Sequence, residues 1–328
     1  MGRGVALSLG LVFAGALASS GLAPAVLSPR SYWPVCFEGG GSPSIGDMPM
    51  FGVAGSAVGL RAGVGAHPPT TVERIVGAEG EPEWLQGCFM LHSVLSSLEC
   101  EQIISVAETI GFKDVDAGKN TQGALTWLLD EEALLGPLFH RCQPFLPAIG
   151  PAAGGDLAGL NARCRFYRYQ PNSKDTFRPH LDDSSPGSGF VPGSNKRELR
   201  FDAFAGDRTS QLSFLLYLND DFAGGETTFF PPPESGAVTN VCVCPRQGAV
   251  LCFPQTLHLD TGAHGKGGGC SDGISAPLHE GSPVRRGRAA GAQDPKPKVA
   301  GKVAVSHQAA ARSRPKYVMR SDVLYFVR

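Results

Sequence analysis

Two tripeptides in this chain set an imidazole and a carboxylate two residues apart: His180-Leu181-Asp182 and His258-Leu259-Asp260. In a strand, that spacing puts both side chains on one face. Joined by a distant second histidine, such a pair makes a two-His, one-carboxylate set. It grips a divalent transition metal on one side and leaves the other side open for ligands and dioxygen. Context separates the two copies. The first follows Arg165-Phe166-Tyr167-Arg168-Tyr169-Gln170-Pro171, which reads as a strand running into a turn, and it leaves nearly a hundred residues before His279. The second leaves only 20 residues before His279, too few for the strands of a barrel. His180 and Asp182 are therefore the predicted metal ligands, and His258 and Asp260 read as an exposed loop pair.

These ligands need a rigid frame. Ser96-Ser97-Leu98-Glu99 has capping-box spacing, and Ile103, Ile104, Ala107 and Ile110 follow at helical intervals before Gly111. A second helix is predicted from Asp130 through Leu134, Leu135 and Leu138. After Pro151 the texture changes to short β-prone runs at 163–169, 210–218, 241–244, 249–253 and 317–327, separated by turn residues. Leu212, Phe214, Leu216 and Leu218 alternate, so that strand has one apolar face. Helices followed by many short strands predict an α+β chain ending in a sandwich or barrel.

Five segments in order resemble the iron(II)/2-oxoglutarate dioxygenases of the prolyl 4-hydroxylase type. They are Arg178-Pro179-His180-Leu181-Asp182; Leu216-Tyr217-Leu218-Asn219-Asp220 with Gly224-Gly225-Glu226-Thr227-Thr228-Phe229-Phe230; Pro245-Arg246-Gln247-Gly248-Ala249-Val250-Leu251-Cys252-Phe253; Leu278-His279-Glu280-Gly281-Ser282-Pro283-Val284; and Lys316-Tyr317-Val318-Met319-Arg320-Ser321-Asp322-Val323-Leu324-Tyr325. The resemblance covers about residues 84–328. It implies a double-stranded β-helix, or jelly roll, with N-terminal supporting helices. It implies His180, Asp182 and His279 as ligands to Fe(II), Lys316 as the cation for the distal carboxylate of 2-oxoglutarate, and Tyr169 on the cofactor pocket. Thirty-six residues lie between His279 and Lys316, where the family has a short connection. Arg320, four residues on and on the same strand face, could substitute.

The implied activity is hydroxylation of an unactivated C–H with release of succinate and CO₂, and with L-ascorbate keeping the iron ferrous. A peptidyl proline is the natural substrate by resemblance, although nothing in loop 184–207 names it. A small-molecule hydroxylase and a jelly-roll metal binder without turnover are the alternatives. A cupin-type isomerase would cluster more histidines. Halogenation is disfavoured because Asp182 is intact.

The chain has 328 residues, a net charge of -1 and 42% hydrophobic residues, which excludes a wholly disordered chain and a globally basic nucleic-acid binder. Residues 1–24 read as a targeting segment, with Arg3, an apolar run and small residues after it, for the secretory pathway, the ER lumen or an organelle. The run is too short for a stable membrane span. Residues 25–83 read as a low-complexity linker. Residues 284–316 carry nine Lys or Arg and one acid, Asp294, with no aromatic residue to stack on bases between Val284 and Lys316; they read as a basic insertion at about 285–315 rather than a nucleic-acid arm. A second, Gly-rich insertion is expected at 262–273. Nine cysteines cannot all pair within the chain; Cys242 and Cys244, two residues apart, do not have zinc or redox spacing, and Cys100 and Cys142 are expected in the core.

Overall fold

The computed structural model describes residues 32–38, 50–54, 69–76, 80, 82–114, 121–129, 134–257, 276–285 and 314–328. The targeting segment, the pair His258-Asp260, the Gly-rich insertion and nearly all of the basic insertion lie outside them. None of the described helices is long and apolar enough to cross a membrane.

In chain order the main elements are β1 (Tyr32–Phe37), β2 (Met50–Val53), β3 (Thr71–Arg74), β4 (Phe89–His92), α1 (Ser97–Ile110), β5 (Ala124–Leu129), α2 (Gly136–Cys142), β6 (Cys164–Tyr169), β7 (Thr176–His180), β8 (Arg208–Tyr217), β9 (Thr227–Phe229), β10 (Val241–Val243), β11 (Val250–Pro254), β12 (His279–Gly281) and β13 (Lys316–Phe326). The last eight strands form two facing sheets. One runs β6-β13-β8-β11 and the other β7-β12-β9-β10. Numbered from the first of the eight, the order is 1-8-3-6 over 2-7-4-5. Successive strands alternate between sheets except β9 and β10, which pair directly as neighbours, and this order is a jelly roll.

The period of two sorts the side chains. On β8, Leu212, Phe214 and Leu216 face the helices, and on β13 Tyr317, Met319 and Val323 do the same. Together with Ile103, Ile104, Ala107, Leu134 and Leu138 they form one buried core. The alternate positions face the space between the sheets, where Tyr167, Tyr169, Tyr217, Phe229, Leu251, Phe253 and Val318 form a second core. The inward row of β13 is thus Lys316, Val318, Arg320 and Asp322, an unusually charged face for a strand this deep.

Helix α1 forms as its sequence dictates. Ser96 Oγ accepts from Glu99 N and the Glu99 carboxylate accepts from Ser96 N, a closed capping box, and Gly111 ends the helix. Arg141 near the end of α2 donates to Glu99 at 2.8 Å and so ties the two helices together. Cys100 and Cys142 are buried, as expected.

One expectation is corrected. The stretch 25–83 is not only a linker: β1 and β2 extend the larger sheet, β2 beside β5, and β3 forms its opposite edge beside β4. Their side-chain pattern shows no period because each is four to six residues long and is held by long-range backbone pairing. The second helix is seen over Gly136–Cys142, with Pro137 in its first turn, where the missing N–H costs nothing; its expected start at Asp130 lies outside the described residues.

Candidate metal centre

Strands β7 and β12 are antiparallel neighbours, and their register sets His180 opposite His279. Asp182 lies two residues beyond the end of β7. Ligand atoms of His180, Asp182 and His279 lie within 4.8 Å of one another, and Asp182 and His279 are buried. His180 Nδ1 lies 2.7 Å from the Arg178 carbonyl, and His279 Nδ1 lies 3.0 Å from the Pro277 carbonyl. A carbonyl only accepts, so each Nδ1 carries the proton and each Nε2 presents a lone pair. Those lone pairs face the carboxylate: His180 Nε2 is 3.3 Å from Asp182 Oδ1, and His279 Nε2 is 3.8 Å from Oδ2. His180 Nε2 has no hydrogen-bond partner. Three acceptors converging in a buried space repel one another unless a cation sits among them. Two neutral imidazoles and one carboxylate suit Fe(II), so the residues fit that ion.

The rings are held firmly. Phe177 stacks on His180 with centroids 3.8 Å apart, and Phe253 packs edge-on against His279 at 4.5 Å. Burial holds the His279 imidazolium down to about 4, with Asp182 opposing, so the ring is neutral at physiological pH. Burial would raise the Asp182 carboxyl, but Arg320 and the two imidazoles hold it well below the usual range.

Lys316 heads the inward row of β13. Its neighbours across the sheet are Tyr169 on β6 and, near by, Tyr217 at the end of β8, whose rings lie 5.5 and 5.6 Å from Nζ. Its ammonium donates to the Gly225 carbonyl at 2.6 Å. Among the described residues no carboxylate pairs with it, and Glu226 acts only at longer range. Burial lowers its pKa to about 8. His180, Asp182, His279, Lys316, Tyr169 and Arg320 all line one pocket. Arg320 points away from Lys316's role: its guanidinium is 2.7 Å from Asp182 Oδ1.

The intervening residues do not displace Lys316 because the chain returns to the point it left. Val284 Cγ2 and Lys316 Cδ both lie 3.2 Å from a methyl built on Gly225. Asn219, expected only in a turn, is buried and pins the returning chain. Its amide donates to the Pro315 carbonyl at 2.8 Å and its oxygen accepts from Tyr317 N at 2.8 Å. Arg314 adds a bidentate pair to Glu101 of α1. Ser213, Gln255 and Asp322 were also missed. Ser213 Oγ donates to Asp182 Oδ2, and Gln255 donates to Ser213 at 3.1 Å and to Asp322 at 2.8 Å. Only the inward parity of Ser213 and Asp322 hinted at this.

Residues 164–293 match the family model described as the 2OG-Fe(II) oxygenase superfamily. Comparison with curated proteins finds no match. Among solved structures, the chain is similar to the viral collagen prolyl hydroxylase of Paramecium Bursaria Chlorella virus-1 in its 2OG complex, at 16% identity and a TM-score of 0.40 over 73% of this chain and 96% of that one. It is similar to a prolyl hydroxylase from Trichoplax adhaerens in complex with a hypoxia inducible factor oxygen degradation domain peptide fragment, at 15% identity and a TM-score of 0.40 over 74% and 83%. A Pseudomonas putida prolyl-4-hydroxylase gives 14% identity and a TM-score of 0.33 over 80% and 94%. The jelly roll thus brings a His-x-Asp pair and a distal histidine to one point within a stretch, residues 164–293, that matches the model of the 2OG-Fe(II) oxygenase superfamily.

Proposed function

We propose that the protein is an Fe(II)- and 2-oxoglutarate-dependent hydroxylase acting on a residue of a protein or peptide, with peptidyl proline the first substrate to test. One observation carries the reading: three buried acceptors converge within reach of Lys316, a buried ammonium that no described carboxylate neutralises. The first group calls for a divalent cation and the second for an anion, in one pocket.

In this reading His180, Asp182 and His279 hold the iron on one side. Lys316 takes the distal carboxylate of the keto acid, a charge-assisted contact of the strong kind. Tyr169, 5% exposed and stacked against Tyr167, walls that pocket and excludes water. Bound iron and keto acid would supply the oxidising chemistry, coupling decarboxylation to hydroxylation. The chain's own part is to orient the target C–H, keep the cavity dry and keep both imidazoles in the Nδ1–H form. Ascorbate as external reductant and delivery to a secretory compartment or organelle belong to the same proposal. Small-molecule hydroxylation is the second reading; the pocket chemistry named here serves it equally.

The test starts without substrate. Full-length protein is loaded anaerobically with Fe(II), and 2-oxoglutarate is titrated while the visible charge-transfer band of a chelated keto acid is followed. The expected band saturates and disappears in His180→Ala. Absence of a band in folded, iron-loaded protein overturns the proposal. Air and proline-containing peptides then follow, read as succinate release and one added oxygen on the peptide.

A further inference from the structure

Beneath Asp182 lies a buried charge network with more cations than anions. Asp322, 1% exposed, has Arg163 at 3.8 Å and Arg165 at 3.6 Å. Arg320 stands 3.9 Å from Asp322 but 2.7 Å from Asp182. Asp322 is already matched by two guanidiniums, so the charge of Arg320 falls chiefly on Asp182. That carboxylate does not need Arg320 for its orientation alone, because Ser213 holds its other oxygen and Gln255 holds Ser213.

We propose that Arg320, acting through Asp182, sets the oxidation-state preference of the metal centre in favour of the ferrous ion. The proposal rests on reading the site as an iron centre. A fixed guanidinium on the ligand carboxylate repels any metal cation, and it repels a 3+ ion more than a 2+ ion. Oxidation removes one electron from the iron, taken up by dioxygen or a redox mediator, and adds one unit of charge facing Arg320. At an effective dielectric of about 20, one added unit charge a few ångströms away shifts such an equilibrium by roughly a hundredfold to a thousandfold. Arg320 would thus be a positioning and tuning residue. Its consequence is slower loss of ferrous iron to air and a smaller demand for external reductant.

The experiment uses full-length protein loaded anaerobically with Fe(II) and titrated with redox mediators, without keto acid or substrate. Wild type must first bind Fe(II) in competition with a ferrous chelator; failure there sinks the iron reading itself. The midpoint potential then reads the ratio of ferric to ferrous affinity. Arg320→Gln keeps donors and removes the charge, and the ratio is expected to rise at least tenfold. Arg320→Met is the second charge-free variant, should the first not fold. Arg320→Lys keeps the charge and should stay within about threefold of wild type. Ser213→Ala removes a hydrogen bond from the same carboxylate without changing charge and should also stay within threefold. An unmoved potential in a charge-free variant that binds Fe(II) overturns the inference and leaves the iron reading standing. A tenfold change in Arg320→Lys or Ser213→Ala also overturns it, since orientation rather than charge would then govern the site.

Discussion

His180 and His279 are register partners on two antiparallel strands, and each turns its Nε2 toward the same carboxylate, that of Asp182. Because the Nδ1 protons are committed to backbone carbonyls, the inward lone pairs are built in before any ion arrives. Replacing either histidine by alanine should abolish the keto-acid charge-transfer band. It should leave the metal-free fold intact, since one of three mutually repelling acceptors is removed. Circular dichroism and the anaerobic titration check both halves.

Lys316 makes a pH-dependent prediction. Its folded pKa is about 8 because of burial, against an ordinary lysine value of 10.5. Cofactor binding needs the ammonium. The apparent Kd for 2-oxoglutarate should be flat below pH 8 and rise about tenfold per pH unit above it. Lys316→Met should raise that Kd by roughly tenfold to a hundredfold at pH 7 and remove the pH dependence.

The same lysine predicts the opposite trend for the metal-free protein alone. Between pH 8 and 10.5 the unfolded chain holds the Lys316 proton more tightly than the folded one, so stability rises with pH across that window. The gain should approach roughly 3 kcal/mol at most. Lys316→Met should flatten the rise and, at pH 7, stabilise the empty protein. Denaturant titrations from pH 7 to 10 decide this; a less stable Lys316→Met protein at pH 7 would count against an uncompensated buried charge.

Gly225 lets Lys316 reach its place. Its φ is +69°, and a methyl there would lie 3.0 Å from Phe222 and 3.2 Å from Lys316. Gly225→Ala should cost about 1–2 kcal/mol from the left-handed backbone alone. It should also weaken 2-oxoglutarate binding several-fold by pushing the lysine, while Fe(II) binding stays near wild type. Equal losses of iron and keto-acid affinity would mean general collapse of the site instead.

The long connection before Lys316 is predicted to be dispensable for cofactor binding. Its two ends meet at Gly225, and Asn219 and Arg314 hold the returning end to the framework. Replacing residues 286–313 by a short glycine-serine loop should leave the 2-oxoglutarate Kd within about threefold, since closure entropy changes slowly with length. A tenfold loss would show that those residues take part in the site.

Much of this was legible one segment at a time. The capping box at Ser96 and Glu99 foretold α1, because a cap is satisfied by residues three apart. The alternation Leu212, Phe214, Leu216 marked one face of β8 as apolar, and that face is the one that meets the helices. The five strand runs read from texture fall on β6, β8, β10, β11 and β13 within one or two residues. By contrast β1, β2 and β3 left no pattern, since their partners lie far along the chain and the pairing is between backbones. Asn219 looked like an ordinary turn residue because its use is to hold Pro315 and Tyr317, nearly a hundred positions later.

By itself the sequence determined the types of atom available: two imidazoles, a carboxylate spaced for one strand face, and a lysine on an alternating strand. Those depend on residue identity and on a period of two, which the chain carries locally. Only the tertiary structure decided that Arg320 serves Asp182 while Lys316 is left with no carboxylate partner among the described residues. That division follows from strand register, which sets Lys316 beside Tyr169 and Arg320 beside Arg165 and Leu215. Register is fixed by pairing between distant strands, so a single run of residues holds no record of it.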